Sequence, residues 1–162
     1  MRKAECGVRN PFAAPFMNND NLKQRTKLFA LEVVKLVEAL PPGKTCDVLG
    51  RQLLRSGTSV GANYRAACRA KSPADFIFKM GIVEEEADES SFWVELLVEA
   101  GKLNGDKAAS LLQECNELVA ITVASIRTAR KTRELNSATP HSAPRTPNSE
   151  LPSPHSALRT PR

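Results

Sequence analysis

Three breaks divide this sequence into four long runs of one periodicity. They are Pro41-Pro42-Gly43, the stretch Lys71-Ser72-Pro73 and the pair Asn104-Gly105. Proline and glycine at such points stop helices, and between the stops apolar residues recur at three- and four-residue steps. Leu22, Thr26, Phe29, Val33, Leu36, Val37 and Leu40 mark the first helix, over about residues 21–40. The second spans about 46–70, with Leu49, Leu53, Ser56, Val60, Tyr64 and Ala67 inward and Thr45 as the better capping residue. The third starts at Ser72-Pro73-Ala74-Asp75, a cap, a first-position proline and an acid in the first turn. It runs to about Lys102, with Phe76, Met80, Val83, Ala87, Ser90, Val94 and Leu97 inward. The fourth covers about 106–133, with Ala108, Leu111, Cys115, Leu118, Thr122, Ser125 and Ala129 on its core face. Lys131 and Arg133 fall in its expected last turn, where cations suit the carbonyl end.

Short connections between long helices favour antiparallel neighbours. The expected fold is all-α: an up-down-up-down antiparallel four-helix bundle over residues 20–134, with disordered termini. Residues 1–19 form an extension without a continuous apolar segment, a poor signal peptide. Met17 is an alternative start to Met1. Residues 135–162 are rich in Pro and Ser, contain the near-repeat "HSAPRTP" and "HSALRTP", and cannot bury a core. Arg145, Arg159 and Arg162 lie there; this tail either contacts a partner or RNA or has no selected role. No apolar run reaches membrane-spanning length. Cys6, Cys46, Cys68 and Cys115 show no close pairing, which argues against zinc and redox motifs and fits free thiols in a cytoplasmic protein. Cys68 and Cys115 fall on apolar helix faces and read as small core residues.

The net charge of +5 is mostly terminal, because residues 20–134 hold 17 basic and 16 acidic side chains. Overall charge is therefore a weak argument for nucleic-acid binding. Its segregation is more informative. Residues 44–71 carry six basic side chains and one acid, Asp47, whereas residues 72–103 carry two lysines and eight acids. On the second helix Arg51, Arg55, Arg65 and Arg69 fall within roughly 80° of one another, opposite the apolar stripe. Lys44 and Lys71 extend that line. Two readings fit: a solvated face paired with the acidic neighbour, or a phosphate-binding ridge along about 27 Å of helix. Arginine's planar fork suits phosphate and carboxylate equally. Aromatic residues make up only 5% of the chain, so a base-stacking platform is disfavoured.

Gly57 and Gly61 interrupt the second helix, each at a cost of about 1 kcal/mol relative to Ala. Close approach of another helix is the compensating reason, with Phe76, Val94 or Leu118 of the third or fourth helix as expected neighbours. The third helix also carries Phe78, Ile82, Trp93 and Leu96 away from its core stripe. Leu112, Val119, Val123 and Ile126 widen the fourth helix's apolar face in the same way. Self-association through Phe78, Ile82, Trp93 and Leu96 is the expectation, with an enlarged monomer core as the alternative.

Nothing in the body suggests catalysis. Both histidines, His141 and His155, lie in the tail, and no Gly-rich phosphate loop or nucleophile elbow occurs. Glu84, Asp88, Glu95 and Glu99 share a face but lack the Glu-x-x-His pairs of a di-metal bundle, so no metal and no cofactor is expected.

The stretch from Gln52 to Ser90 carries Gln52-Leu53, Arg55-Ser56, Ser59-Val60, Asn63 and then Ser72-x-x-Asp75-Phe76 before an acidic helix. In these residues the chain resembles the bacterial four-helix bundle proteins known from intervening sequences in large-subunit ribosomal RNA genes. The resemblance covers about residues 22–131. It is also similar to the accessory protein of diversity-generating retroelements, a pentameric barrel whose basic surface binds nucleic acid and a reverse transcriptase. The resemblance implies a homo-oligomer, commonly a pentamer, no catalytic residue, and nucleic-acid contact at Arg51, Arg55, Arg65 and Arg69. Many members have Asn-x-x-Glu where this chain has Asn63 and Ala66. The expected activity is a non-enzymatic, oligomeric module binding nucleic acid, or alternatively a protein-interaction module whose basic and acidic helices pair with subunits or a partner.

Overall fold

The computed structural model describes residues 19–138, which form four helices: α1 (Asn19–Glu38), α2 (Lys44–Ala67), α3 (Pro73–Glu99) and α4 (Gly105–Ala138). The expectations of terminal disorder bear on residues 1–18 and 139–162, outside the described residues. Residues 135–138 belong to α4 rather than to a tail, because the first helix-breaking residue of that stretch is Pro140. Lys131 and Arg133 consequently lie inside α4, before its last turn.

The helix starts are decided locally. Ser72 is extended and its hydroxyl accepts the Asp75 N–H at 3.1 Å, with Pro73 in the first turn, as its sequence predicts. Thr45 does not cap α2. Gly43 holds that position at φ 150°, a backbone region that L side chains rarely adopt, and its carbonyl accepts the Asp47 N–H at 2.9 Å. The end of α3 also differs from expectation. The helix stops at Glu99, and Gly101 at φ 65° turns the chain so that Lys102 and Leu103 donate back to the Leu97 carbonyl. Asn104 instead opens α4: its side chain accepts the Asp106 N–H at 2.8 Å.

All seven inward positions expected on α3 are buried, from Phe76 to Leu97. They meet Leu53, Val60, Tyr64 and Ala67 of α2, Phe29 and Val33 of α1, and Leu111, Cys115 and Leu118 of α4 in one core. Ile126, expected on the widened flank of the fourth helix's apolar face, joins that core, whereas Ser125, expected on the core face, is only half-buried. Hydroxyls at core positions are satisfied by their own helices. Thr26 donates to the Leu22 carbonyl at 2.9 Å and Thr122 to the Leu118 carbonyl at 2.7 Å. Ser56 and Ser90 share a buried hydrogen bond of 2.9 Å that ties α2 to α3.

The two glycines of α2 do face a close neighbour, but it is α1. A Cβ on Gly57 would lie 2.7 Å from a Val33 methyl, and one on Gly61 would lie 3.2 Å from the Thr26 carbonyl oxygen. Phe76, Val94 and Leu118 are not the groups that require them. Each helix packs on the next along the chain, while α1 and α4 touch only slightly. A groove of about 660 Å³ opens at that seam, and Arg25 bridges α1 to Glu114 and Glu117 of α4.

Candidate nucleic-acid interface

Every cation of the expected ridge is exposed: Lys44, Arg51, Arg55, Arg65, Arg69 and Lys71. They do not form one straight line. α2 ends at Ala67, so Arg69 and Lys71 sit in the connection to α3, where the Lys71 N–H donates to Asp75 at 2.9 Å. Arg55 leans the other way. Its guanidinium bonds Glu89 and lies 3.6 Å from Glu86, both on α3. Glu89 also accepts the Trp93 indole N–H at 2.9 Å. The Arg55 guanidinium, and then the indole, hold the Glu89 carboxyl below the ordinary range. Burial pushes the Glu86 carboxyl the opposite way, and its Oε2 is buried without a hydrogen-bond partner.

Pairing with the acidic neighbour is thus realised at Arg55. Arg51, Arg65, Arg69, Lys44 and Lys71 make no salt bridge among the described residues. Arg65 and Arg69 line a groove of about 700 Å³ between α1 and α2, together with Lys23 and Lys27 of α1. Gly61 and Ala62 line it too, so little bulk stands between the two rows of cations. Asp20 contributes the single carboxylate and sits 3.3 Å from the Lys23 ammonium. Reading charge helix by helix missed the two lysines. Their four-residue spacing was the available signal, but nothing local says that α1 lies beside Arg65.

The proposed association face is partly absorbed. Phe78 is 69% exposed, but Ile82, Trp93 and Leu96 are half-buried. Trp93 packs against the core, and its ring meets Phe92 edge-on at 4.9 Å. Phe92, 52% exposed, belongs to the same surface and was missed because it falls at the margin of the stripe. Leu112, Val119 and Val123 are half-buried.

The described cysteines are free, buried thiols, as the helix positions of Cys68 and Cys115 predict; Cys46, for which the sequence predicts no core position, is buried as well. Burial pushes the Cys115 thiol up to about 12 and raises Cys68 as well, which disfavours the reactive thiolate. Cys6, His141, His155 and the tail arginines lie outside the described residues. Among the described residues no group of three or more His, Cys, Asp or Glu could hold a metal ion, and no helix is long and apolar enough to cross a membrane.

Residues 19–124 match the family described as 23S rRNA-intervening sequence protein. The chain belongs to that family. A crystal structure of an S23 ribosomal protein family member of unknown function, from Bacteroides thetaiotaomicron VPI-5482, matches with a TM-score of 0.64 and 34% identity. That match covers 68% of this chain and 99% of the other. No curated protein matches this chain. The α1–α2 groove falls wholly within the span shared with the family. Arg127, Arg130, Lys131 and Arg133 of α4 fall beyond it.

Proposed function

We propose that this chain is a non-enzymatic cytoplasmic bundle that associates with itself and binds the phosphate backbone of RNA or DNA. The observation that carries this reading is a set of exposed arginines left without carboxylates. Arg65 and Arg69 make no salt bridge among the described residues, although α3 is rich in acids. Guanidinium groups so placed are free to displace counterions from a phosphate backbone. The scarcity of exposed aromatics favours backbone contact over base stacking. The family name refers to intervening sequences in 23S rRNA, a setting that such a surface suits. Exposed Phe78 and Phe92 support self-association, and the family resemblance suggests a ring, commonly a pentamer.

One observation favours a second reading. Arg55, Glu86 and Glu89 pair basic and acidic helices within a subunit, and the same chemistry could join subunits or a partner protein. Light scattering with and without RNA, combined with salt titration, separates the two. Backbone binding predicts a salt-dependent RNA complex, with a log–log slope near −0.9 per neutralised duplex phosphate. If Arg65→Glu/Arg69→Glu keeps full RNA affinity and loses its assembly, the protein-interaction reading stands instead.

A further inference from the structure

The antiparallel order brings the start of α1, the end of α2, the start of α3 and the end of α4 to one end of the bundle. Charge divides along that axis. Residues 19–28, 58–85 and 119–138 hold eleven basic and five acidic side chains. Residues 29–57 and 86–118 hold six basic and eleven acidic. A nearly neutral domain is therefore strongly polar end to end, a pattern invisible when charge is summed helix by helix.

Among the described residues, two grooves at the basic end differ in their charge. The α3–α4 groove sets Arg127 and Arg130 beside Glu84, Glu85 and Asp88. The α1–α2 groove sets Lys23, Lys27, Arg65 and Arg69 beside Asp20 alone. The flanking chain does not complement that charge. Residues 1–18 carry Arg2, Lys3 and Arg9 against Glu5, and residues 139–162 carry three arginines against Glu150. Neither flank supplies the acids that this groove lacks, and a polyanion fits it best.

We infer that the nucleic-acid backbone is held at this end of the bundle, in the α1–α2 groove, with Lys23 and Lys27 completing the site that Arg65 and Arg69 begin. This deepens the backbone-binding reading and rests on it. Arg51 and Lys44 lie toward the acidic end and are dispensable, as is Arg55, which Glu89 holds. Four cations flanking a small-residue floor grip successive phosphates from both sides and read no bases, since no aromatic side chain lines the groove.

The test is fluorescence anisotropy of a labelled single-stranded RNA oligonucleotide, titrated with full-length protein at several salt concentrations. Lys23→Gln/Lys27→Gln should bind about tenfold more weakly, with a log–log salt slope shallower by about 1.4, two single-strand phosphates' worth. Arg51→Gln and Arg127→Gln/Arg130→Gln should bind like the wild type. Arg65→Gln/Arg69→Gln should weaken under either geometry and serves as the positive control. Thermal unfolding verifies that each variant is folded, and single Lys27→Gln replaces the double variant if that one is not. Wild-type affinity in the lysine variant overturns the groove while leaving backbone binding in place if Arg51→Gln fails. Unchanged RNA affinity with a changed assembly mass overturns it too, by assigning the groove to a second copy. No salt-dependent binding by the wild type overturns both readings.

Discussion

Gly57 and Gly81 sit in neighbouring helices and should respond oppositely to the same methyl group. A Cβ on Gly57 would meet both Val33 methyls at 2.7 and 2.8 Å and the Val33 Cβ at 3.0 Å. Val33 is β-branched and fully buried, so it has nowhere to move. Overpacking costs about 1–3 kcal/mol, more than the roughly 1 kcal/mol gained in helix propensity. Gly57→Ala should therefore destabilise in urea unfolding, and Val33→Ala should recover part of the loss in the double variant. A Cβ on Gly81 would meet nothing within 4 Å beyond its own helix backbone, so Gly81→Ala should stabilise by about 0.5–1 kcal/mol. A neutral Gly57→Ala would mean that α1 does not approach α2 as closely as described. Glu86 and Glu89 form a second contrast, three residues apart. Glu89 is held below the ordinary glutamate value of 4.5, so its contribution is complete above that value and is lost as pH falls through its folded-state value. Glu86 is raised by burial, so its ionisation opposes folding as pH rises through the carboxylate range. Glu86→Gln should raise the urea midpoint at about pH 7 and lose that advantage at about pH 4. Glu89→Gln should lower it at about pH 7 and change Trp93 fluorescence, because the indole loses a charged acceptor.

Among the elements, α1 is the most weakly held. It buries Leu22, Thr26, Phe29 and Val33 against α2 and the core, but its contact with α4 is slight. The Arg25 guanidinium spans the gap, donating through Nε at 2.6 Å and Nη2 at 2.8 Å to Glu114 and bonding Glu117 as well. A planar fork meeting a carboxylate in two places is the strong form of such a pair. Arg25→Ala should accelerate hydrogen exchange in α1 selectively, leaving α2 and α3 protected. Equal exchange across the helices would assign the seam to Leu36 and Leu103 instead, both of which line it. α3 holds its place by different means. Its N-terminus is fixed by the Ser72 cap and its middle by the Ser56–Ser90 bond and the Arg55–Glu89 pair, so it is the element least sensitive to changes at α1.

At the scale of the molecule, the proposed self-association and the proposed nucleic-acid contact fall on different surfaces and should separate. Phe78→Asp/Phe92→Asp places charge on the outer face of α3 without touching the core. The assembly mass by light scattering should fall while far-ultraviolet circular dichroism stays the same. An unchanged mass would move the interface elsewhere, the α1–α4 groove being the next candidate. What the linear order of residues determined was whatever is local. Capping by Ser72, the stop at Pro41-Pro42-Gly43 and the seven buried positions of α3 follow from a 3.6-residue period and from backbone groups that need partners nearby. Helix direction followed as well, since short connections leave little choice. Which helix faces which was settled only in three dimensions. Periodicity points a glycine toward a neighbour but does not name it, so Gly57 met α1 rather than α3 or α4. For the same reason the arginine row divided between Glu89 and the lysines of α1. Opposite charges far apart in the chain sorted to opposite ends because antiparallel packing, and nothing local, sets residue 23 beside residue 69.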